Sequence, residues 1–212
     1  MPDPEPARVT VLDHPLVGVL VTELRDERTP VERFREVVEQ LGRLLAYEAL
    51  REVRVREKAV RTPVAGATGT RLAASPTVVC ILRAGAGLTP GVLSLIPGAR
   101  MGHLGMARDE ATLEPRTYYD KLPPDVADGP VLLCDPMLAT GGSAVAAVEL
   151  LAGRGCRDVT FLGVIAAPEG VKRLTEAHPE VPLVLAALDE RLDGRGYIVP
   201  GLGDAGDRIF GT

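Results

Sequence analysis

The sequence predicts an α/β fold, with a doubly wound, mostly parallel sheet that carries helices on both faces. Five short apolar runs have the length and composition of buried strands, at 77–82, 99–106, 130–135, 159–167 and 182–188. Segments with helical patterns alternate with these runs, at 88–95, 143–152 and 168–177. Near-continuous apolar strands that alternate with helices are typical of a parallel sheet covered on both sides.

Length and composition narrow the class of protein. The 212 residues fit one domain, residues 1–212, and the hydrophobic content of 46% with 25% charged residues is typical of soluble globular proteins. The net charge of −5 argues against binding nucleic acid through a basic surface. The N-terminal stretch lacks the features of a signal peptide, and the chain has no long apolar run. We therefore expect a cytoplasmic protein with neither membrane nor nucleic-acid partners.

Two elements precede the first apolar run. Thr29 as the N-cap, Pro30 in the first turn and Glu32 three residues after Thr29 predict the start of a helix over about 30–48. The Arg-rich alternating stretch "VRVREKAVRTPV" and the following "GATGT" predict a β-hairpin arm over about 53–72.

In parallel sheets, ligands bind beyond the carboxyl ends of the strands, so the residues that follow each run are the candidates for chemistry. Arg83 and the small residues of "RAGAG" follow the first run, and a guanidinium beside a Gly-rich turn can bind an anion. Asp135 ends the third run, and Thr140–Ser143 lie where the next helix begins. Bare backbone N–H groups at a helix start form an anion site, although an ordinary connection with a Ser cap would read the same way.

Arg108 and a long polar connection over 109–127 follow the second run, and this connection carries Tyr118, Tyr119 and Lys121. Long loops in compact domains are often lids over a site. The alternative is a solvated hairpin with no chemical role.

The C-terminal stretch "GYIVPGLGDAGDRIFGT" has apolar residues that would anchor it, rather than leaving it as a flexible tail. Its Gly203, Asp204 and Ala205 would let the backbone approach a flat ligand. Two anion sites, a cationic loop residue and a backbone-rich slot together predict a phosphorylated sugar and a small planar partner. The cysteine and histidine spacings predict no metal site.

Five motifs together resemble the uracil phosphoribosyltransferase family in order and spacing: "ILRAG", "MARDEATLEP", "CDPMLATGGS", "AAPEG" and "GYIVPGLGDAGDRIFGT". The resemblance begins near residue 14 and continues to the end of the chain. Thr-Gly-Gly after an acidic residue is shared by many phosphoribosyltransferases, whereas the C-terminal motif is much more specific to the uracil enzymes.

The resemblance implies a type I phosphoribosyltransferase fold and the reaction of uracil with 5-phosphoribosyl 1-diphosphate (PRPP) to give UMP and diphosphate, in pyrimidine salvage. It implies a PRPP-binding core over about 77–188 and a uracil-binding segment over about 189–212. The implied catalytic residues are Arg83, Arg108, Asp135 and Asp204. The implied PRPP-binding residues are these four with Pro136, Met137, Leu138, Ala139, Thr140, Gly141, Gly142 and Ser143. The implied uracil-binding residues are Ile198, Gly203, Asp204 and Ala205.

The chain departs from the wider pattern at two positions. Many phosphoribosyltransferases have a second acid where this chain has Pro136, a feature that the uracil enzymes share. The resemblance therefore implies Mg²⁺ held by PRPP and water, with no direct protein ligand. Ala107 stands where the family often has tyrosine. A homo-oligomer, a dimer or higher, is expected, and activation by GTP, which some bacterial relatives have, stays open.

Two other functions compete with uracil transfer. One is a phosphoribosyltransferase for orotate or a purine, but the carboxylate of orotate would favour a cation, and no Lys or Arg lies between Gly196 and Gly206. The other is an RNA-binding regulator of pyrimidine genes on the same fold, which would need a basic face.

Overall fold

The computed structural model describes residues 8–108 and 115–212. These residues form twelve strands: β1 (Val9–Val11), β2 (Val55–Arg61), β3 (Gly66–Leu72), β4 (Thr77–Leu82), β5 (Arg100–Arg108), β6 (Pro115–Lys121), β7 (Val131–Cys134), β8 (Met137–Leu138), β9 (Val159–Ala166), β10 (Leu183–Leu188), β11 (Arg191–Leu192) and β12 (Ile198–Val199). The α-helices among them are α1 (Pro15–Arg25), α2 (Val31–Ala49), α3 (Thr89–Leu95), α4 (Gly142–Gly153), α5 (Pro168–Ala177) and α6 (Ala205–Phe210).

The main sheet has the strand order β1-β10-β9-β7-β4-β5-β6, and β8 pairs with β9. Every pairing in it is parallel except that of β5 with the edge strand β6. The carboxyl ends of β4, β7, β9 and β10 therefore meet at one edge of the sheet. The predicted α/β fold with a mostly parallel sheet is confirmed.

Alternate residues of the central strands enter two separate apolar cores, because neighbouring side chains on a strand point to opposite faces. On one face, Val78 and Cys80 of β4 belong to a core with Phe34 and Leu41 of α2. On the other face, the intervening residues of β4 belong to a core with Leu151 of α4 and others. Helices thus cover both sides of the sheet, as the near-continuous apolar runs predicted.

The predicted hairpin arm is present as β2 and β3, which pair only with each other. Every residue of β2 is exposed, including Val55 at 56% and Val60 at 40%. In the loop between the strands, Val64 is 95% exposed. No described residue outside the hairpin covers either face of β2.

The N-terminal part differs from the prediction. Helix α1 was not predicted, because Leu16 and Val19 leave its exposed side as apolar as the side that carries buried Val17 and Val21. Helix α2 begins after Pro30, and Thr29 does not cap it, since its hydroxyl donates to Glu23 O at 2.6 Å.

The predicted lid falls partly on β6, where Tyr118 and Tyr119 lie exposed on a strand antiparallel to β5. Residues 109–114 lie outside the described part of the chain, so the lid stays a prediction. No helix of the described ranges is long and apolar enough to cross a membrane.

Candidate active site

A cleft of about 470 Å³ opens where β4 and β7 end. Three segments that are distant in the sequence line it, namely the loop after β4, the loop after β7 and the C-terminal segment. The predicted site residues that line this cleft are Arg83, Asp135, Met137, Ala139, Ile198, Gly203, Asp204 and Ala205. Parallel strands bring the two loops together, as expected for the carboxyl edge of such a sheet.

Arg83 directly follows β4 and precedes a short 3₁₀ helix, Ala84–Gly87. A side chain at Gly85 would collide with the carbonyl oxygen of Cys134, so only glycine lets the two loops pack this closely. The guanidinium of Arg83 is already paired, with Nη2 donating to Asp207 Oδ1 at 2.9 Å. Arg83, the cation predicted to bind an anion, is therefore paired with the carboxylate of Asp207 in α6.

Asp135 follows the last residue of β7, and its Oδ1 accepts a hydrogen bond from the backbone N–H of Met137 at 3.2 Å. Burial raises the pKa of Asp135 to about 7, and the Met137 hydrogen bond opposes this only in part. A carboxylate at the wall of a cleft with a pKa perturbed by burial is a candidate for a functional role.

The residues after Asp135 divide into those that face the cleft and those that support the loop. Pro136 and Leu138 are buried and do not line the cleft. The carbonyl of Pro136 accepts from the N–H groups of Val164 and Ile165, each at 3.0 Å, and this ties the loop to β9. A proline fits here because the loop uses its carbonyl and not an N–H group.

Thr140–Ser143 lie beside the cleft rather than in its lining. Gly141 has a φ of 77°, and Gly142 begins α4. Thr140, just before these glycines, lies near the cleft wall, because a Cβ built on Gly196 of the lining would be 3.9 Å from Thr140 Cγ2. The predicted anion site at the start of α4 thus adjoins the cleft.

The "AAPEG" motif packs directly under this site. A side chain at Gly170 would collide with the carbonyl oxygen of Ala139, and one at Gly141 would reach within 2.8 Å of Gly170 O. Arg173 of α5 lies alongside, with Nη1 3.3 Å from the Cβ position of Gly142. The sequence did not predict Arg173 as a site residue, because it lies on α5 and approaches the start of α4 only when the chain is folded.

The C-terminal segment turns sharply between the two stretches of it that line the cleft, 195–198 and 203–206. Val199–Pro200 is a cis peptide bond, and Gly201 and Gly203 have φ values of 65° and 81°. Ile198 and Ala205 are buried at 5% and 3% exposure. Positive φ at two nearby positions favours glycine, and Gly203, which lines the cleft, has only backbone to present to it.

Asp204 is the N-cap of α6, and its Oδ1 accepts from Asp207 N at 2.9 Å. Its carboxylate therefore has a structural role at the cleft edge. A side chain at Gly206 would lie 3.1 Å from Asp204 Oδ1 and 3.6 Å from Arg83 Nη2, so this glycine separates the two charged groups.

Five further residues of the cleft lining were not predicted: Ala84, Arg195, Gly196, Tyr197 and Gly206. Arg195 weakens the sequence argument against a carboxylated base, because it places a cation in this cleft one residue outside the range considered. The "GRGY" pattern, a cation between two glycines, was the signal that could have revealed it.

Arg108 is the last residue of β5, the strand next to β4, but its side chain lies outside what the structure describes. The structure therefore does not relate its guanidinium to the cleft.

Within 8–108 and 115–212, no group of three or more His, Cys, Asp or Glu side chains could hold a metal ion. Two carboxylates of the cleft lining, Asp135 and Asp204, offer the oxygen atoms that Mg²⁺ prefers.

The family model described as uracil phosphoribosyltransferase matches residues 11–212. This chain belongs to that family. A relative named uracil phosphoribosyltransferase from Roseiflexus castenholzii is 54% identical over 205 residues, which covers 97% of this chain and 99% of the relative. One of the same name from Thermus thermophilus is 50% identical over 210 residues, with the same two coverages. These relatives agree with the family resemblance of the motifs.

Solved structures confirm the fold. The AQ2163 protein from Aquifex aeolicus has a TM-score of 0.91 at 40% sequence identity, over 95% of this chain and 97% of that chain. Adenine phosphoribosyl transferase from Trypanosoma brucei has a TM-score of 0.55 at 16% identity, over 92% of this chain and 87% of that one. The second likeness concerns the fold alone. The chain is a phosphoribosyltransferase of the doubly wound α/β type.

Proposed function

We propose that this enzyme transfers the 5-phosphoribosyl group of PRPP to N1 of uracil, giving UMP and diphosphate in pyrimidine salvage. The bond from C1′ to the diphosphate oxygen breaks, the N1–C1′ bond forms, and the N1 proton of uracil leaves to solvent. The observation that carries the proposal is the slot lined by Ile198 and 203–206, which shares one cleft with Asp135. Family membership supports the same reaction.

Asp135 would accept hydrogen bonds from the ribose hydroxyls and so fix the position of C1′. The 5-phosphate would be bound by the N–H groups and hydroxyls of Thr140–Ser143, where the positive end of the α4 dipole favours an anion. The position of the anion site supports this arrangement, because it adjoins the cleft that Asp135 lines. Pro136 and Leu138 would act indirectly, by holding the loop on β9.

Departure of diphosphate gives the ribose oxocarbenium character and leaves negative charge on the leaving group. Arg83 and Arg108 would stabilise that charge as it develops. Mg²⁺, when bound with PRPP, supplies further positive charge to the diphosphate. We propose that PRPP oxygens and water would hold the ion, in the cleft that the carboxylates of Asp135 and Asp204 line.

Uracil would lie against Ile198 and Ala205, with backbone groups near Gly203 reading its O2, N3–H and O4. Asp204 caps α6 at this edge and so would fix the turn while its carboxylate stays near PRPP. Arg195, in the same lining, is the residue that could bind an orotate carboxylate instead. The base therefore has to be tested directly.

The decisive assay is PRPP-dependent nucleotide formation by the purified enzyme with Mg²⁺, offered uracil, orotate or hypoxanthine in parallel. We expect UMP from uracil and at least about 100-fold slower reaction with the other bases, the discrimination expected of a polar site. Faster use of orotate than of uracil would refute the proposal and assign Arg195 to a carboxylated base.

We also propose a homo-oligomer in which the arm docks on a second copy of the chain. Arg56 and Arg71 are direct cross-strand neighbours, and Lys58 lies on the same face of the hairpin. Like charges opposite each other destabilise a hairpin unless a partner neutralises them. A chain of net charge −5 offers such an acidic partner in its own copy, and this favours self-association over RNA binding.

Sedimentation of the wild type and of an Arg56→Glu/Arg71→Glu variant tests the arm. A dimer or larger species that dissociates in the variant supports the proposal, and a monomeric wild type refutes it.

GTP activation rests on the family resemblance, and measuring the rate with and without GTP at subsaturating PRPP tests it. We place the enzyme in the cytoplasm, where its three free, buried cysteines would stay reduced.

A further inference from the structure

Gly201, in the turn between Ile198 and Gly203 of the base slot, has both of its polar backbone groups bound by side chains. Its N–H donates to Asp189 Oδ2 at 2.9 Å, and its carbonyl accepts from Arg25 Nη1 at 2.9 Å. Its φ of 65° and the collision that a side chain would make with Ile198 O show how tightly the chain turns here. The backbone of this turn is therefore held by charged groups from elsewhere in the fold.

Arg25 and Asp189 also bind each other through both terminal nitrogens of the guanidinium, with Nη1 2.9 Å from Oδ2 and Nη2 in contact with Oδ1. The side chain of Asp189 is 2% exposed and that of Arg25 is 25% exposed. A charged pair this buried loses its hydration, which is offset only where its remaining hydrogen-bonding groups are satisfied. The two backbone groups of Gly201 contribute to that satisfaction.

Rigid elements carry both side chains. Asp189 follows β10, and its N–H donates to Ala166 O of β9 at 2.8 Å. Arg25 is the last residue of α1. The turn at Gly201 is thus fixed between the carboxyl edge of the sheet and the end of a helix that no sequence motif linked to the site.

The next residue is held by a second arginine. Arg208 Nη1 donates to Leu202 O at 2.9 Å and also contacts Leu24 O, while Nη2 donates to Asp26 O at 2.6 Å. The guanidinium lies over the ring of Phe34, 4.3 Å from its centroid. The carbonyl groups of two consecutive residues between Ile198 and Gly203 are therefore tied to the end of α1.

We propose that Arg25 and Asp189 are positioning residues for base binding, which fix the backbone of 198–205 at the spacing that the base requires. This inference rests on the proposed function and concerns how its base slot is held. Backbone groups on a glycine-rich turn can read a ring only if the turn has one conformation, and small misplacements of bound groups can cost orders of magnitude in rate. The hydrogen bonds between this pair and the backbone end at Gly201, so we expect base binding to depend on the pair more than PRPP binding at the start of α4 does.

Arg25→Lys tests the proposal, because lysine keeps the charge but cannot bond Gly201 O and both carboxylate oxygens in the fork geometry of arginine. We expect KM for uracil to rise by at least about tenfold, with KM for PRPP changed by less than about twofold. Asp189→Asn should act in the same direction. Glu23→Gln is the matched control, since Glu23 pairs with Arg33 at 2.6 Å and links α1 to α2 without contacting the turn.

Hydrogen exchange of the Gly201 amide provides a readout that needs no substrate. Exchange should accelerate in Arg25→Lys and Asp189→Asn but not in Glu23→Gln. The proposal is wrong if folded Arg25→Lys keeps its uracil KM, if both substrate KM values rise together, or if Glu23→Gln has the same effect. An inactive wild type whose Gly201 exchange still depended on Arg25 would refute the proposed function, while it would show that this pair holds the Gly201 turn.

Discussion

The guanidinium of Arg83 lies 2.9 Å from the carboxylate of Asp207, although 124 positions separate them in the chain. Arg83 Nη1 also lies 3.5 Å from the hydroxyl of Thr212. The cation at the end of β4 is thus oriented by α6 and the C-terminus, which bring a negative charge to the place where diphosphate would bind. The side chains of Arg83 and Asp207 are 56% and 49% exposed, so the pair itself contributes little to stability.

Asp207→Asn should strengthen PRPP binding. The change removes a negative charge near the diphosphate, while Thr212 still offers Arg83 a neutral partner. We expect KM for PRPP to fall by about two- to fivefold at low salt, and the gain should shrink at high salt as charges are screened. A KM that rises instead would mean that Asp207 is needed to hold Arg83 in place.

Arg108→Ala should lower kcat more than it raises KM for PRPP. A preorganised cation that acts on charge developing in the transition state contributes about 10²–10³ in rate. Steady-state kinetics with PRPP varied at saturating uracil separates the two parameters. If KM alone changes, Arg108 is a simple binding residue.

Gly142→Val should weaken PRPP binding by at least about tenfold, or about 1.4 kcal/mol. The new side chain would stand at the start of α4, 3.3 Å from Arg173 Nη1, where the phosphate needs bare backbone. Gly153→Val is the control, because at the other end of α4 a new Cβ would meet no atom within 4 Å apart from its neighbours in the chain and the nearby backbone of its own helix. A folded Gly142→Val variant that binds PRPP as tightly as Gly153→Val and the wild type would rule out the anion site.

Asp135 should make activity depend on pH near neutrality. The ionised carboxylate is the form that accepts hydrogen bonds from the ribose hydroxyls, and burial raises the pKa of this group to about 7. The kcat/KM for PRPP should therefore rise with pH through about 7 in the wild type, whereas Asp135→Asn should be far less active and lack this step. The range from about pH 6 to about pH 8 spans this pKa. A wild-type kcat/KM that stays constant over that range would show that Asp135 has no role in the reaction.

The same shift makes a prediction for stability. An acid whose folded pKa exceeds its unfolded value binds more protons when folded, so Asp135 lowers stability as pH rises from about 4 to about 7. Asp135→Asn should melt at a higher temperature than the wild type at pH 8, and at pH 5 the difference should be smaller. A melting difference that does not change with pH would contradict the raised pKa.

The sequence revealed most of the sheet but less of the site. The run at 77–82 coincides with β4 because a strand covered on both faces has to be apolar throughout. Local patterns also identified Asp135 and Gly203, since a carboxylate after an apolar run and clustered glycines are visible along the chain. Arg25 and Asp207 were not predicted, because their roles come from contacts across more than a hundred residues.

Direct comparison of uracil with cytosine tests most closely the central claim, that backbone groups of Ile198 and 203–205 read the base. A backbone N–H facing O4 of uracil would meet the amino group of cytosine donor to donor and leave both unpaired in a buried slot. We expect kcat/KM for cytosine to be lower by about 10⁴ in the wild-type enzyme. Use of cytosine within about tenfold of uracil would contradict backbone reading of the base.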